Sequence, residues 1–175
     1  MVLVDDRTVV DGCTATECPD PESLGGLLAA VLLAEGVPRG SEAGLHLVGA
    51  EEMAELNLDA MGKDGPTDVL SFPLDGVSAV GGADDGVDAG GRNGVGAVPH
   101  LVGDVVLCTE VAMRNASRHA GTMGDECRLL VVHGGLHLCG WDHETPRQQH
   151  DMWTRERELM ASLGVSPSGD PWSPQ

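Results

Sequence analysis

The chain has 175 residues, a formal net charge of −18 at pH 7, 41% hydrophobic residues and 2% aromatics. That length suits one compact domain with a single core, and no apolar run reaches the roughly 18–20 residues a membrane span needs. The start MVLVDDRTVV carries Asp5 and Asp6 and no basic region, so it does not read as a secretory signal.

A charge of −18 argues against indiscriminate binding to polyanions. The imbalance is uneven, however. Residues 1–100 carry 18 acids against 4 bases, and residues 101–175 carry 10 acids against 6 arginines. A phosphate-facing surface is therefore expected in the C-terminal part. The five cysteines show no paired CxxC spacing and read as reduced thiols in a cytoplasmic protein.

In chain order, residues 2–10 alternate loosely with β-branched side chains and predict a first strand. ESLGGLLAAVLLAE, residues 22–35, predicts a helix closed by Gly36 and Pro38. Residues 43–48 predict a short strand, residues 51–61 a helix, and TDVLSFP at 67–73 a strand ending at proline. Residues 76–99 hold eight glycines and almost no large side chain. Such a segment buries too little area to offset its ordering entropy, and it is expected to be a disordered insertion within the domain.

HLVGDVVLC, residues 100–108, predicts the next strand, and residues 110–120 a helix with Arg114 and Arg118 four apart on one face. Residues 125–139 are apolar nearly all round, as in a helix buried in a core. The last helix is sharply delimited: Thr145 as N-cap, Pro146 in the first turn, Gln148 completing a capping box, and Gly164 past the end. The expected organisation is a single α+β domain over residues 1–165, with helices layered on a mixed sheet, and a loose tail at 166–175.

The chemistry concentrates in VVHGGLHLCGWDHE, residues 131–144, which holds three of the seven histidines. His133 and His137 lie four apart on the predicted helix, so both rings project from one face. Gly140 permits a left-handed turn that brings His143 back towards them. Three neutral imidazoles leave one tetrahedral position open, the layout of a catalytic rather than a structural zinc site. Gly134 and Gly135 each cost about 1 kcal/mol relative to alanine in a helix interior, which points to close approach by a ligand, a backbone or a packed neighbour. The spacing also matches the HExxHxxGxxH of metzincin proteases, but Gly134 stands where those enzymes keep the glutamate that accepts the water's proton.

The block from His133 to His143, HGGLHLCGWDH, resembles the signature of the YbeY family of bacterial rRNA maturation factors and single-strand-specific endoribonucleases. MAELN at 53–57, PTDVLSFP at 66–73, GDVVLC at 103–108 and Glu126 agree with that family in order. The resemblance covers roughly residues 43–163. It implies an α+β sandwich with a mixed sheet of about four strands and one zinc in a cleft. The implied role is rRNA processing, especially at the small-subunit 3′ end, and ribosome quality control. Met61 stands where many members carry a basic residue; Lys63 is a nearby charge at a different spacing.

These features set the expected site. His133, His137 and His143 hold the metal and act through it, and Asp142 orients a ligand ring or contacts substrate. Thr67, Ser71, Lys63, Arg114 and Arg118 are candidate substrate contacts. The expected partners are single-stranded RNA and the ribosome or its proteins, with an assembly GTPase as a further candidate and no membrane. With one Phe, three Trp and no Tyr, extensive base stacking is not expected. Two other readings stand beside the nuclease: a metallohydrolase with another substrate, and a non-catalytic ribosome-assembly factor with a fold-stabilising zinc.

Overall fold

A computed structural model describes residues 1–7, 19–74 and 100–173. The order of elements is β1 (Val2–Asp6), α1 (Pro21–Ala34), β2 (Glu42–Val48), α2 (Ala50–Met61), β3 (Val69–Pro73), β4 (Leu101–Cys108), α3 (Thr109–Ala116), α4 (Met123–Leu138) and α5 (Pro146–Ser162). The expected insertion at 76–99 and the expected continuation of the first strand to residue 10 lie outside the described residues, apart from Arg7, whose N–H still bonds Leu47 O at 2.9 Å.

Four strands form one sheet in the order β1-β2-β4-β3. β1, β2 and β4 run parallel, while β3 lies antiparallel on the edge beside β4. The sheet is mixed because the β2-to-β4 connection crosses over through α2 and edge strand β3. The pleat sorts side chains by parity. Leu45, Leu47, Val105 and Leu107 face α1 and α4, while Val48, Val106 and Cys108 face α2 across Met53. The register of β4 against β2 shifts by one residue at Val102, and Gly103 takes φ +140° there. A Cβ at Gly103 would sit 2.3 Å from Phe72 O, so the bulge needs glycine.

α4 is the central helix. It packs on the sheet beside α1, with α5 against its outer side, and Cys127, Leu130, Val132 and Leu136 are all buried. The two glycines explain how it sits so close. A Cβ at Gly134 would lie 2.7 Å from Val105 Cγ1 on β4, and one at Gly135 would lie 3.0 Å from Leu28 Cδ1 and Val31 Cγ1 on α1. Of the readings left open for them, helix packing on two sides is the one observed.

Three expectations need correction. Helix α3 stops at Ala116 rather than 120, because Gly121 N bonds Ala116 O at 2.7 Å and Ala120 N turns to the Glu126 carboxylate at 3.0 Å. Arg118 therefore lies beyond the helix. Strand β3 begins at Val69, so Thr67 precedes it. Lastly, the tail docks through residue 173 rather than hanging loose. Gly169 N bonds Ala120 O at 2.7 Å, Pro171 is buried, and the Trp172 indole N–H donates to Glu156 Oε2 at 2.9 Å.

Candidate metal centre

The site is built at the C-terminal end of α4. His133 and His137 share one face there, as four-residue spacing requires. The helix ends at Leu138 with Cys139 as cap and Gly140 at φ +85°. Gly140 N bonds His137 O at 3.0 Å and Trp141 N bonds Leu136 O at 3.1 Å, the paired pattern of a Schellman turn. That turn reverses the chain and sets His143 against the other two, with ring centroids 5.3 and 5.0 Å from those of His133 and His137. The indole N–H of Trp141 donates to Glu35 Oε2 at 2.8 Å, and Arg155 Nε donates to Glu35 Oε1 at 2.8 Å, so one carboxylate ties the turn to α1 and α5.

Hydrogen bonds decide which ring nitrogens are available. His137 Nδ1 lies 2.9 Å from Trp141 O, and a carbonyl only accepts, so Nδ1 carries the proton. His133 Nδ1 lies 2.6 Å from Glu156 Oε1, again an acceptor. Both Nε2 atoms are then bare lone pairs, and they face each other at 3.1 Å. Two bare acceptors at that separation do not bond each other; a shared cation would bridge them. Burial and then the neighbouring His133 and His143 push the His137 imidazole down to about 4, so its Nε2 is open to a metal at neutral pH. Ligand atoms of all three histidines lie within 4.8 Å of one another, and tetrahedral bonds of about 2.0–2.1 Å place neighbouring nitrogens about 3.3 Å apart. The donor set, three neutral imidazoles, fits a divalent transition ion.

A cleft of about 720 Å³ opens on these rings. Met61, Lys63, Thr67, Ser71 and Asp142 all line it, together with Asp68 and Glu144.

Residues 22–164 match the family described as endoribonuclease YbeY. The chain belongs to that family. It is 45% identical over 127 residues to the endoribonuclease YbeY of Salinispora tropica, covering 73% of this chain and 77% of the relative. The Thermobifida fusca relative of the same name is 39% identical over 142 residues, 81% and 84% of the two chains. That of Corynebacterium glutamicum is 36% identical over 121 residues, and the match spans 58% of its length. The solution structure of a Thermotoga maritima protein shares the fold at a TM-score of 0.52, with 23% identity over 99% of this chain and 100% of that one.

The YbeY signature thus coincides with the cleft, and the separately expected arginines do not. Arg114 and Arg118 are exposed on and after α3 and do not line it. Among the described residues Lys63 is the one lysine or arginine of the lining, beside Asp68, Asp142 and Glu144. Its loop is held by Asn57, a buried residue near the end of α2 whose Nδ2 donates to Gly65 O at 2.8 Å. Asp142 accepts from the His143 backbone N–H at 2.7 Å, so it shapes the turn and orients no ring. Ser71 Oγ donates to Gly134 O at 3.2 Å, and Thr67 Oγ1 donates to Asp68 Oδ1 at 3.2 Å. Cys139 is a buried thiol pushed up to about 12 by desolvation and by Glu35, unsuited to metal binding.

Sequence reasoning missed Glu156 and Trp172. Glu156 is 2% exposed, bonds His133 through Oε1 and accepts from Trp172 through Oε2. A signal was there. Met152, Leu159 and Met160 form the buried stripe of α5, and Glu156 lies on that same stripe. A carboxylate inside an apolar stripe needs a partner.

Proposed function

We propose that this protein is a metal-dependent endoribonuclease that cuts single-stranded RNA, acting in rRNA processing at the small-subunit 3′ end and in ribosome quality control. One zinc per chain is held by His133, His137 and His143. The observation that carries this reading is the pair of Nε2 atoms facing each other at 3.1 Å in a cleft lined by YbeY-family motifs. When bound, such an ion supplies Lewis-acid polarisation of a phosphoryl oxygen and lowers the pKa of its water towards about 7.

The chain's own residues do the rest. Glu156 and the Trp141 carbonyl hold two rings in the tautomer that presents Nε2. Lys63 offers charge to a phosphate, in place of the basic residue that Met61 replaces. Proteolysis is disfavoured on geometric grounds. A glutamate at 134 would point into the sheet, since a Cβ there already meets Val105 and Ser71 Oγ at 2.7 and 3.1 Å. Among the described residues no helix is long and apolar enough to cross a membrane, in keeping with a cytoplasmic site of action. The charge of −18 favours a second reading, an assembly factor that docks on basic ribosomal proteins or an assembly GTPase. Incubation of metal-loaded protein with labelled single-stranded RNA separates the two: the nuclease releases internal fragments, and the assembly factor leaves the strand whole.

A further inference from the structure

A second cavity lies behind the histidine cluster. It measures about 170 Å³, and its walls include Asp68, His119, His133, Trp153 and Trp172. Asp68, Val69 and His133 belong to both cavities, so the two open against the same metal ligand from different sides. The volume falls below the roughly 300 Å³ of a pocket for a drug-sized ligand, and suits one ring system rather than a whole nucleotide.

The lining is unusual for this chain. Two of its three tryptophans meet here, in a protein with one Phe and no Tyr. Trp153 is half-buried, belongs to none of the core clusters, and its indole N–H bonds no described residue. Packing therefore does not account for it. The polar groups on the walls are mainly acceptors. His119 Nδ1 lies 2.9 Å from the fully buried Glu126 carboxylate, which places a proton on Nδ1, and in the neutral ring Nε2 is then an acceptor. Asp68 Oδ1 takes the Thr67 hydroxyl and the Val69 N–H, and its second oxygen bonds no described residue. Arg157 rests over the Trp172 ring at 5.2 Å and pairs with no carboxylate among the described residues.

We propose that this cavity binds one unstacked nucleobase of the single-stranded substrate, next to the phosphate at the histidine cluster, and favours a base with an exocyclic amino group over uracil. The inference rests on the nuclease reading above and adds to it a place where sequence is read. Aromatic walls accept the π-face of any base, as in other single-strand binders. The acceptors of His119 and Asp68 match amino hydrogens on adenine, cytosine or guanine, and uracil carries no such group. A duplex keeps its bases stacked and paired, so only a single strand can deliver one.

The test is an abasic scan. Short labelled single-stranded RNAs, each with one ribonucleotide stripped of its base, are cleaved by metal-loaded full-length protein and by Trp153→Ala, with Trp153→Phe as the conservative control. The proposal predicts one position, adjacent to the cut, where base removal lowers kcat/KM by about 5- to 150-fold. Uracil at that position gives an intermediate value. In Trp153→Ala that penalty vanishes while metal content is unchanged; in Trp153→Phe most of it remains. Cleavage with no such position, a penalty that persists in Trp153→Ala, or a preference for uracil overturns the pocket and leaves the nuclease standing. No cleavage of any strand overturns both.

Discussion

His133 Nδ1 lies 2.6 Å from Glu156 Oε1, and Glu156 is held from behind by the Trp172 indole. A proposed metal ligand on α4 is thereby oriented by a carboxylate from α5 and by a tail that was expected to be loose. Groups in this position conventionally contribute 10- to 100-fold to metal affinity. Glu156→Gln is expected to weaken zinc binding by about that factor with the fold retained, and Trp172→Phe by less. Competition against a chromophoric chelator measures both. Equal affinities for Glu156→Gln and the parent would remove the carboxylate from the account.

The pH dependence follows from His137. Folded, its imidazole takes up a proton near pH 4; unfolded, near 6.5. The unfolded chain therefore binds more protons across that window, and the metal-free protein loses stability as pH falls from about 6.5 to about 4. Melting temperatures of chelated protein should drop over this range more steeply than those of His137→Asn. Parallel curves would show that the ring is not depressed.

Gly134 tests the packing of α4. Alanine there gains about 1 kcal/mol of helix propensity but forces a methyl to within 2.7 Å of Val105 Cγ1. Overpacking of that kind costs about 1–3 kcal/mol, so Gly134→Ala should be destabilising by up to about 2 kcal/mol in urea unfolding. A stabilised variant would mean that β4 yields freely.

Much of this architecture could be read from the chain, and the failures share a cause. The capping box at Thr145 and Gln148 and the glycine turn at Gly140 are local signals, and both formed as read. The three histidines were legible because a helix and its cap bring them together within eleven residues. Glu156 was missed because its partner, His133, is 23 residues away, and local spacing says nothing of such a pair. The extent of α3 was misread for the converse reason. The spacing of Arg114 and Arg118 suggested one helical face, but Glu126 draws the Ala120 N–H away and the helix ends before Arg118.

Among the described residues Lys63 is the one lysine or arginine that lines the cleft, alongside the carboxylates of Asp68, Asp142 and Glu144. Lys63→Ala should weaken binding to single-stranded RNA and reduce the slope of log K against log salt by about 0.7, the value of one phosphate contact. Arg114→Ala should leave that slope alone. Titrations at several salt concentrations check both, and the reverse pattern would move the RNA from the cleft to α3.

The central claim is that the three histidines make a metal-dependent nuclease for single strands. Its most direct test is cleavage of one labelled RNA, single-stranded or annealed to its complement, by metal-loaded protein and by His137→Ala. The account predicts internal cuts in the single strand, none in the duplex, and none by the variant. An intact single strand with stoichiometric metal bound, or equal cleavage by His137→Ala, would contradict it.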